Sequence, residues 1–227
     1  MSQNIPVISD VLTNVFPIQT DTLNGSSFVI QKNNHQFLVT ARHLFKKSLT
    51  NGQPVTISVI KQNKLDLLAD IFLHKDTTVD VVVLKLNTPL NGISPLDIGG
   101  QIMVGQDLYF LGFPSFGGNY FLSFDSSVGF MPLVKKATFA GMVNQKGYTR
   151  MFLDGHNNPG FSGGPIVAYD YYAKKNIICG VISGYFFEEK NLMNSVTTYK
   201  EFIKENSGII DAIHIKVVND IIDQNFK

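Results

Sequence analysis

The sequence predicts an all-β fold, and three observations support this prediction. Short apolar or alternating runs recur along the chain and are separated by turn residues, a pattern typical of β-strands. One interruption, at residues 87–100, concentrates proline and glycine and predicts a link between two units. A length of 227 residues is common for an all-β protein built from two barrels. We therefore expect an N-terminal barrel within residues 1–95 and a C-terminal barrel within residues 96–227.

The individual elements follow from the same pattern. In the first unit the polar segment 31–35 predicts a hairpin turn, and strands are expected at 27–30, 36–40, 54–60, 67–73 and 80–86. In the second unit, a glycine-rich loop is expected at 115–119, and strands at 107–112, 121–130, 137–143, 150–153, 166–169, 177–183 and 208–213. Residues 216–224 are expected to form an amphipathic terminal helix. A second helical segment near residues 194–204 is an open alternative.

The composition excludes several classes of protein. Apolar residues make up 44% of the chain and charged residues 16%, which excludes a disordered chain, and the net charge of +1 gives no general attraction to nucleic acid. No apolar stretch approaches the ~20 residues that cross a membrane, and the first residues do not read as a secretory signal. We therefore expect a cytoplasmic protein without membrane or nucleic-acid partners. The single cysteine, Cys179, allows no internal disulfide and is expected to be buried.

Residues 159–165 read Pro-Gly-Phe-Ser-Gly-Gly-Pro and form the most specific motif in the chain. A serine hydroxyl is a weak nucleophile that needs a neighbouring base, and acyl transfer needs amide donors aimed at the developing oxyanion. Gly160 lets the backbone turn so that its N–H points outward beside the N–H of Ser162. The motif therefore predicts Ser162 as nucleophile and Gly160 with Ser162 as the oxyanion hole. The alternative is a glycine-rich turn between two strands.

His43 is the candidate base, because it follows the strand-like run 37–41, whose end can hold an imidazole rigidly beside a cleft. Asp80 is the candidate carboxylate, because it begins a nearly continuous apolar strand and could orient the imidazole from there. Each has an ordinary alternative, a surface histidine and a turn aspartate. Asp76, in a polar loop, is the nearest competitor of Asp80.

These motifs occur in the order His, Asp, Ser, and together the chain resembles the trypsin/chymotrypsin-like serine peptidases. The likeness is closer to the disulfide-free bacterial-type members, including the protease domain of the high-temperature-requirement family. It covers about residues 15–225 and includes the segments 25–30, 111–114 and 180–184. The resemblance implies two six-stranded antiparallel Greek-key barrels of the chymotrypsin-like type with a C-terminal helix. It also implies a serine endopeptidase acting on proteins or peptides.

The resemblance further implies where the substrate side chain binds. The walls of that pocket are expected from His156 and Asn157, from Ser183, Gly184 and Tyr185, and from Ile210. None of these residues is acidic, so Tyr185 and Ile210 favour a small or apolar side chain, while His156 leaves an acidic one open. Phe161 stands where zymogen-activated relatives carry an aspartate, so activation by N-terminal cleavage is not expected.

Other functions use the same residues. A catalytically silent trypsin-like domain could bind a protein in the same cleft, because a fold does not establish function. An esterase or a self-processing protease is a further alternative, and a regulatory protein partner is a guess. The sequence contains no phosphate-binding glycine loop and no His/Cys cluster at metal-ligand spacing, so neither cofactor nor metal is expected.

Overall fold

The computed structural model describes residues 9–20, 23–45, 48–60, 63–114, 131–193 and 198–226. Within these ranges the protein contains two closed, six-stranded antiparallel barrels and a short C-terminal helix. The predicted all-β, chymotrypsin-like fold class is confirmed. The predicted division at residues 95 and 96 falls between the two barrels and stays a prediction as a domain boundary.

The first barrel has the strand order β1-β2-β3-β6-β5-β4 and closes through pairing of β1 with β4. Its interior is apolar, and the strands follow largely because apolar side chains alternate with more exposed ones, as in β4 and β5. The strands are β1 (Val15–Gln19), β2 (Asn24–Lys32), β3 (His35–Thr40), β4 (Pro54–Ile60), β5 (Lys64–Leu73) and β6 (Val82–Leu86).

The second barrel has the strand order β10-β11-β12-β9-β8-β7 and closes through pairing of β7 with β10. Its core is a separate cluster that includes Phe110, Phe139 and Phe161. The strands are β7 (Asp107–Gly112), β8 (Leu133–Gln145), β9 (Tyr148–Asp154), β10 (Pro165–Asp170), β11 (Lys175–Met193) and β12 (Thr198–His214).

Two α-helices of the described residues flank the barrels, α1 (Ser9–Thr13) and α2 (Lys216–Asn225). The predicted terminal helix is therefore confirmed. Its apolar residues recur on one face and are buried, namely Val217, Val218, Ile221 and Ile222. Phe226, which directly follows the helix, packs against Phe37 of β3 and Phe72 of β5, with ring centroids 5.2 and 4.6 Å apart. The helix thus returns from the second barrel to cover the first.

The alternative of a helix near 194–204 is wrong from residue 198 onward, because β12 already begins there. Strands β11 and β12 form a hairpin much longer than predicted, and charged side chains bond across it. Lys190 is paired with Glu205, and Lys204 with Glu189 at 3.7 Å. These oppositely charged side chains are cross-strand partners, which stabilise paired strands. The predicted loop 115–119 and strand 121–130 lie outside the described residues. Within the described ranges, no helix has both the length and the apolar character needed to cross a membrane.

Candidate active site

The position of His43 beside Asp80 follows from the pairing of two strands. Strands β3 and β6 are antiparallel, and Thr40, at the end of β3, pairs with Val82, at the start of β6. The chain leaves β3 into a single 3-10 turn, Arg42–Leu44, while Asp80 lies just before β6. Residues far apart in sequence therefore meet at one end of the first barrel.

The carboxylate of Asp80 contacts His43 twice. Its Oδ1 accepts a hydrogen bond from the backbone N–H of His43 at 2.8 Å, and its Oδ2 lies 2.7 Å from the imidazole Nδ1. The Asp80 side chain is 19% exposed and that of His43 is 44% exposed. A carboxylate held by the backbone fixes the imidazole orientation and leaves Nε2 available for chemistry.

This contact raises the pKa of His43 above its ordinary value of 6.5. The hydrogen bond to Asp80 is the largest cause, and the attraction of the negative charge adds to it. Burial acts in the opposite direction, because it disfavours the charged imidazolium. The ring therefore sits in a site that stabilises its protonated form, as a general base requires after it accepts a proton.

Ser162 lies in a turn whose backbone forms hydrogen bonds with strands of both barrels. Its carbonyl accepts a hydrogen bond from the N–H of Ser26 in β2 at 2.8 Å. The N–H of Gly163 donates to Ile182 of β11 at 2.8 Å, and the carbonyl of Gly164 accepts from the N–H of Ile182 at 2.9 Å. The serine is thus held from both sides by backbone hydrogen bonds.

Gly163 has a positive φ of +84°, and no larger residue would fit there. A Cβ atom would lie 2.2 Å from the carbonyl oxygen of Ser26 and 2.2 Å from Oγ1 of Thr40. The glycine that follows the serine therefore permits the close approach of the two barrels at this point.

Ser183 of β11 connects the serine to the aspartate. The hydroxyl of Ser162 donates to the carbonyl oxygen of Ser183 at 3.2 Å, and within the described residues it makes this bond rather than one to His43. The hydroxyl of Ser183 donates to Oδ2 of Asp80 at 2.6 Å. The sequence predicted Ser183 only as a pocket residue, whereas the structure also places its hydroxyl on the carboxylate.

A family model described as a trypsin-like peptidase domain matches residues 25–171, the segment that contains His43, Asp80 and Ser162. The chain belongs to the trypsin-like peptidase family. The family predicted from the three sequence motifs is thereby confirmed.

The chain is also similar to a curated protein and to several solved structures. The chain is 26% identical to the chloroplastic protease Do-like 1 of Arabidopsis thaliana over 166 residues. This match covers 72% of this chain and 34% of that protein. The chain thus spans about a third of the length of this curated relative. The active form of the Rv3671c protease from M. tuberculosis superimposes with a TM-score of 0.62 and 18% identity, over 97% of this chain and 84% of that one. A serine endoprotease from Yersinia pestis gives a TM-score of 0.61 and 16% identity, over 97% and 67%. These structures support the fold.

Some of the residues predicted to line a substrate pocket of this trypsin-like domain contact one another. Asn157 is 2% exposed, and its side-chain amide donates to the carbonyl oxygen of Gly184 at 3.1 Å, so the two predicted walls are joined. Tyr185 pairs with the fully buried Ile210 in the β11–β12 ladder. The side chain of His156, by contrast, is exposed on its loop.

Ser26 is a residue of the site that the sequence analysis missed. Its buried hydroxyl donates to the carbonyl oxygen of Gly160 at 2.7 Å and accepts from the N–H of Phe113 at 2.8 Å. It therefore fixes one peptide group of the turn that carries Gly160. Its sequence signal is a serine at the start of an apolar strand, and the adjacent Ser27 shares this signal.

Two competing groups lie elsewhere. Asp76 accepts hydrogen bonds from the N–H and the hydroxyl of Thr78, which lower its pKa, so its carboxylate is bound within its own loop. Cys179 is buried, and burial raises the pKa of its thiol to about 12, which makes it a poor nucleophile. In the part of the chain that the structure describes, no group of three His, Cys, Asp or Glu residues could hold a metal ion.

Proposed function

We propose that this chain is a serine endopeptidase in which Ser162 is the nucleophile, His43 the general base and Asp80 the orienting carboxylate. The observation that carries the proposal is the hydrogen-bonded chain from His43 through Asp80 and Ser183 to Ser162. It links the three residue types of the predicted mechanism within a domain of the trypsin-like peptidase family.

The proposed reaction begins when His43 removes the proton of Ser162 as the serine oxygen attacks a peptide carbonyl. The amides of Gly160 and Ser162 stabilise the oxyanion, and the protonated His43 then donates its proton to the leaving amine. Water activated by the same imidazole hydrolyses the acyl-enzyme. Asp80 stabilises the imidazolium in both halves of the reaction, in keeping with the raised pKa of His43.

The hydrogen bond from Ser162 to Ser183 describes a resting arrangement. For attack, the Ser162 side chain must turn from the carbonyl of Ser183 toward His43. A substrate amide N–H that donates to the carbonyl of Ser183 would compete for this acceptor and release the hydroxyl. We therefore propose that substrate binding itself brings the nucleophile to the base.

The pocket favours a small or apolar side chain before the scissile bond. Asn157 spans from one wall to Gly184, and the buried Ile210 contributes an apolar wall, while no acidic residue is among the wall residues. An acidic partner for a substrate lysine or arginine is thus missing from these described residues. Asn157→Ala should widen the accepted range of side chains toward larger apolar ones in a peptide library.

A fluorophosphonate probe tests the function, because it reacts only with an activated serine. We expect labelling of the native protein and its loss in Ser162→Ala and His43→Ala, with about a 10⁶-fold lower rate by analogy with other triads. His35→Ala is the matched control, since His35 lies at the opposite end of β3 from His43. It should be labelled like the native protein.

The other outcomes separate the alternatives. A folded native protein that is not labelled, even with peptide substrate present, would contradict the proposal and favour the silent binding domain. Labelling that persists in Ser162→Ala would place the nucleophile elsewhere. A fixed internal cleavage product that is absent in Ser162→Ala would identify self-processing.

A further inference from the structure

Lys135 of β8 makes a set of contacts that the proposed mechanism does not use. It pairs with Phe110 in the sheet and shares the inward side of β8 with the buried residues Ala137 and Phe139. Its neighbour Lys136 points outward instead and forms an ion pair with Asp107 at 2.8 Å. An ammonium group therefore enters one end of the second barrel, where an apolar side chain would be expected.

The ammonium group of Lys135 contacts the segment 156–161 at three points. It donates to the carbonyl oxygen of His156 and to Oδ1 of Asn158, the latter at 2.9 Å. It also lies 5.8 Å from the ring centroid of Phe161, within the range of a cation–π contact. One cation thus binds the start, middle and end of the segment that leads into Ser162.

Phe161 transmits this position to the catalytic turn. Its ring is fully buried and packs edge-on against Phe110 at 5.0 Å, with Lys135 5.8 Å from both ring centroids. The N–H of Phe161 donates to the backbone carbonyl oxygen of Asn158 at 3.4 Å, and this bond closes a turn that contains Gly160. Because Phe161 lies between Gly160 and Ser162, a ring held in one position restrains the backbone that bears both amides.

The placement of this lysine is costly. Burial lowers its pKa, and in the described ranges no carboxylate forms an ion pair with its ammonium group. A partly buried cation held by neutral oxygens and ring faces is destabilising compared with an apolar side chain of similar length. Groups that break a packing rule in this way concentrate where a protein needs a particular geometry.

We propose that Lys135 is a positioning residue that orders the segment 156–161 and so presents the amides of Gly160 and Ser162 to the oxyanion. The proposal rests on the proposed function for its catalytic consequence. Lys135 holds the segment from the barrel end, while Ser26 holds the carbonyl of Gly160 from the first barrel. The same segment forms one wall of the substrate pocket.

The test compares Lys135→Met, Lys135→Arg and the control Lys136→Met. Methionine keeps the apolar stem and removes the charge, so we expect an unchanged or higher melting temperature together with at least a 10-fold lower rate constant for fluorophosphonate labelling. Deleting one oxyanion donor outright lowers the rate by ~10²–10³-fold, and Lys135→Met only displaces the donors, so a smaller effect is sufficient. Lys135→Arg should restore part of the rate, and Lys136→Met should stay within about 2-fold of the native protein.

Hydrogen exchange provides a readout independent of catalysis. The amides of Phe161, Gly163 and Gly164 donate within or beside the segment, so their exchange should become faster in Lys135→Met and not in Lys136→Met. Native labelling rate and native exchange in folded Lys135→Met would overturn the proposal. A native protein that is never labelled would overturn the proposed function alone, because exchange still decides whether Lys135 orders the segment. If Lys135→Met does not fold, the same comparison on Lys135→Gln decides it.

Discussion

The hydroxyl of Ser183 donates a hydrogen bond to Oδ2 of Asp80 across the two barrels, at 2.6 Å. The same carboxylate oxygen lies 2.7 Å from Nδ1 of His43, so one oxygen is shared by a residue of each barrel. The position of the imidazole therefore depends on how the second barrel docks against the first.

Ser183→Ala should slow labelling of Ser162 by about one order of magnitude, since a hydrogen bond to a charged group contributes ~1.5–3 kcal/mol. A carboxylate that loses a donor is a stronger acceptor, so the pKa of His43 should rise further. NMR titration of the His43 imidazole measures this shift. A pKa that stays at the native value would mean that water replaces the hydroxyl.

The rate of labelling should fall on the acid side with a midpoint above pH 6.5, because the base must be neutral and Asp80 raises its pKa. The same shift makes a stability prediction of defined sign. A raised pKa in the folded protein stabilises it fully below about pH 6.5, and this contribution is lost as pH rises through the raised value.

Asp80→Asn is the control for both effects. Burial alone lowers the pKa of His43, so in this variant the imidazole should titrate at or below its ordinary value. The labelling rate should also fall by about 10⁴-fold, by analogy with triads that lose the carboxylate. An imidazole that still titrates above pH 6.5 would assign the shift to another group.

Ser26→Ala should destabilise the fold by ~1–3 kcal/mol, because the carbonyl of Gly160 and the buried N–H of Phe113 lose their common partner. It should also slow labelling, since the Gly160 peptide is released. Ser27→Ala is matched to it, because Ser27 is equally buried but donates to Phe16 in the first barrel. Urea unfolding should show a loss of stability in both variants, whereas slower labelling should be confined to Ser26→Ala.

Gly163→Ala and Gly105→Ala separate backbone strain from steric clash. Both glycines have a φ of +84°, but a Cβ at Gly105 would meet nothing within 4 Å, while one at Gly163 would overlap Ser26 and Thr40. Gly105→Ala should therefore cost only the ~1–2 kcal/mol of the left-handed conformation. Gly163→Ala should cost clearly more and should abolish labelling. Equal unfolding midpoints would show that the turn at Gly163 can relax.

The sequence was sufficient to predict the family and the meeting of His43 with Asp80, because both follow from strand ends with strong local patterns. Ser26 could not be predicted, since its partner Gly160 is 134 residues away and Ser27 carries the same local pattern. The contacts of Lys135 could not be predicted for a similar reason, because a lysine in an alternating strand is expected to be exposed to solvent. Only the closure of the second barrel brings its ammonium group to His156 and Asn158.

The hairpin of β11 and β12 shows the limit of periodicity. Residues 198–204 mix lysine, glutamate and apolar side chains, which fits a helix surface as well as a strand. Which one forms depends on whether a complementary strand lies alongside, and Glu189 and Lys190 of β11 provide it. Whether this segment forms a helix or a strand therefore depends on a tertiary contact, which the local sequence does not predict.

The return of α2 to the first barrel has a consequence for the order of assembly during translation. Phe37 and Phe72 belong to strands of the first barrel, and both rings pack against Phe226. Phe226 is synthesised only after every strand of both barrels. Strands β3 and β6, which lead to His43 and Asp80, therefore remain without this cover until α2 and Phe226 are made. During synthesis, the aromatic cover of the first barrel therefore forms only after the second barrel has been made.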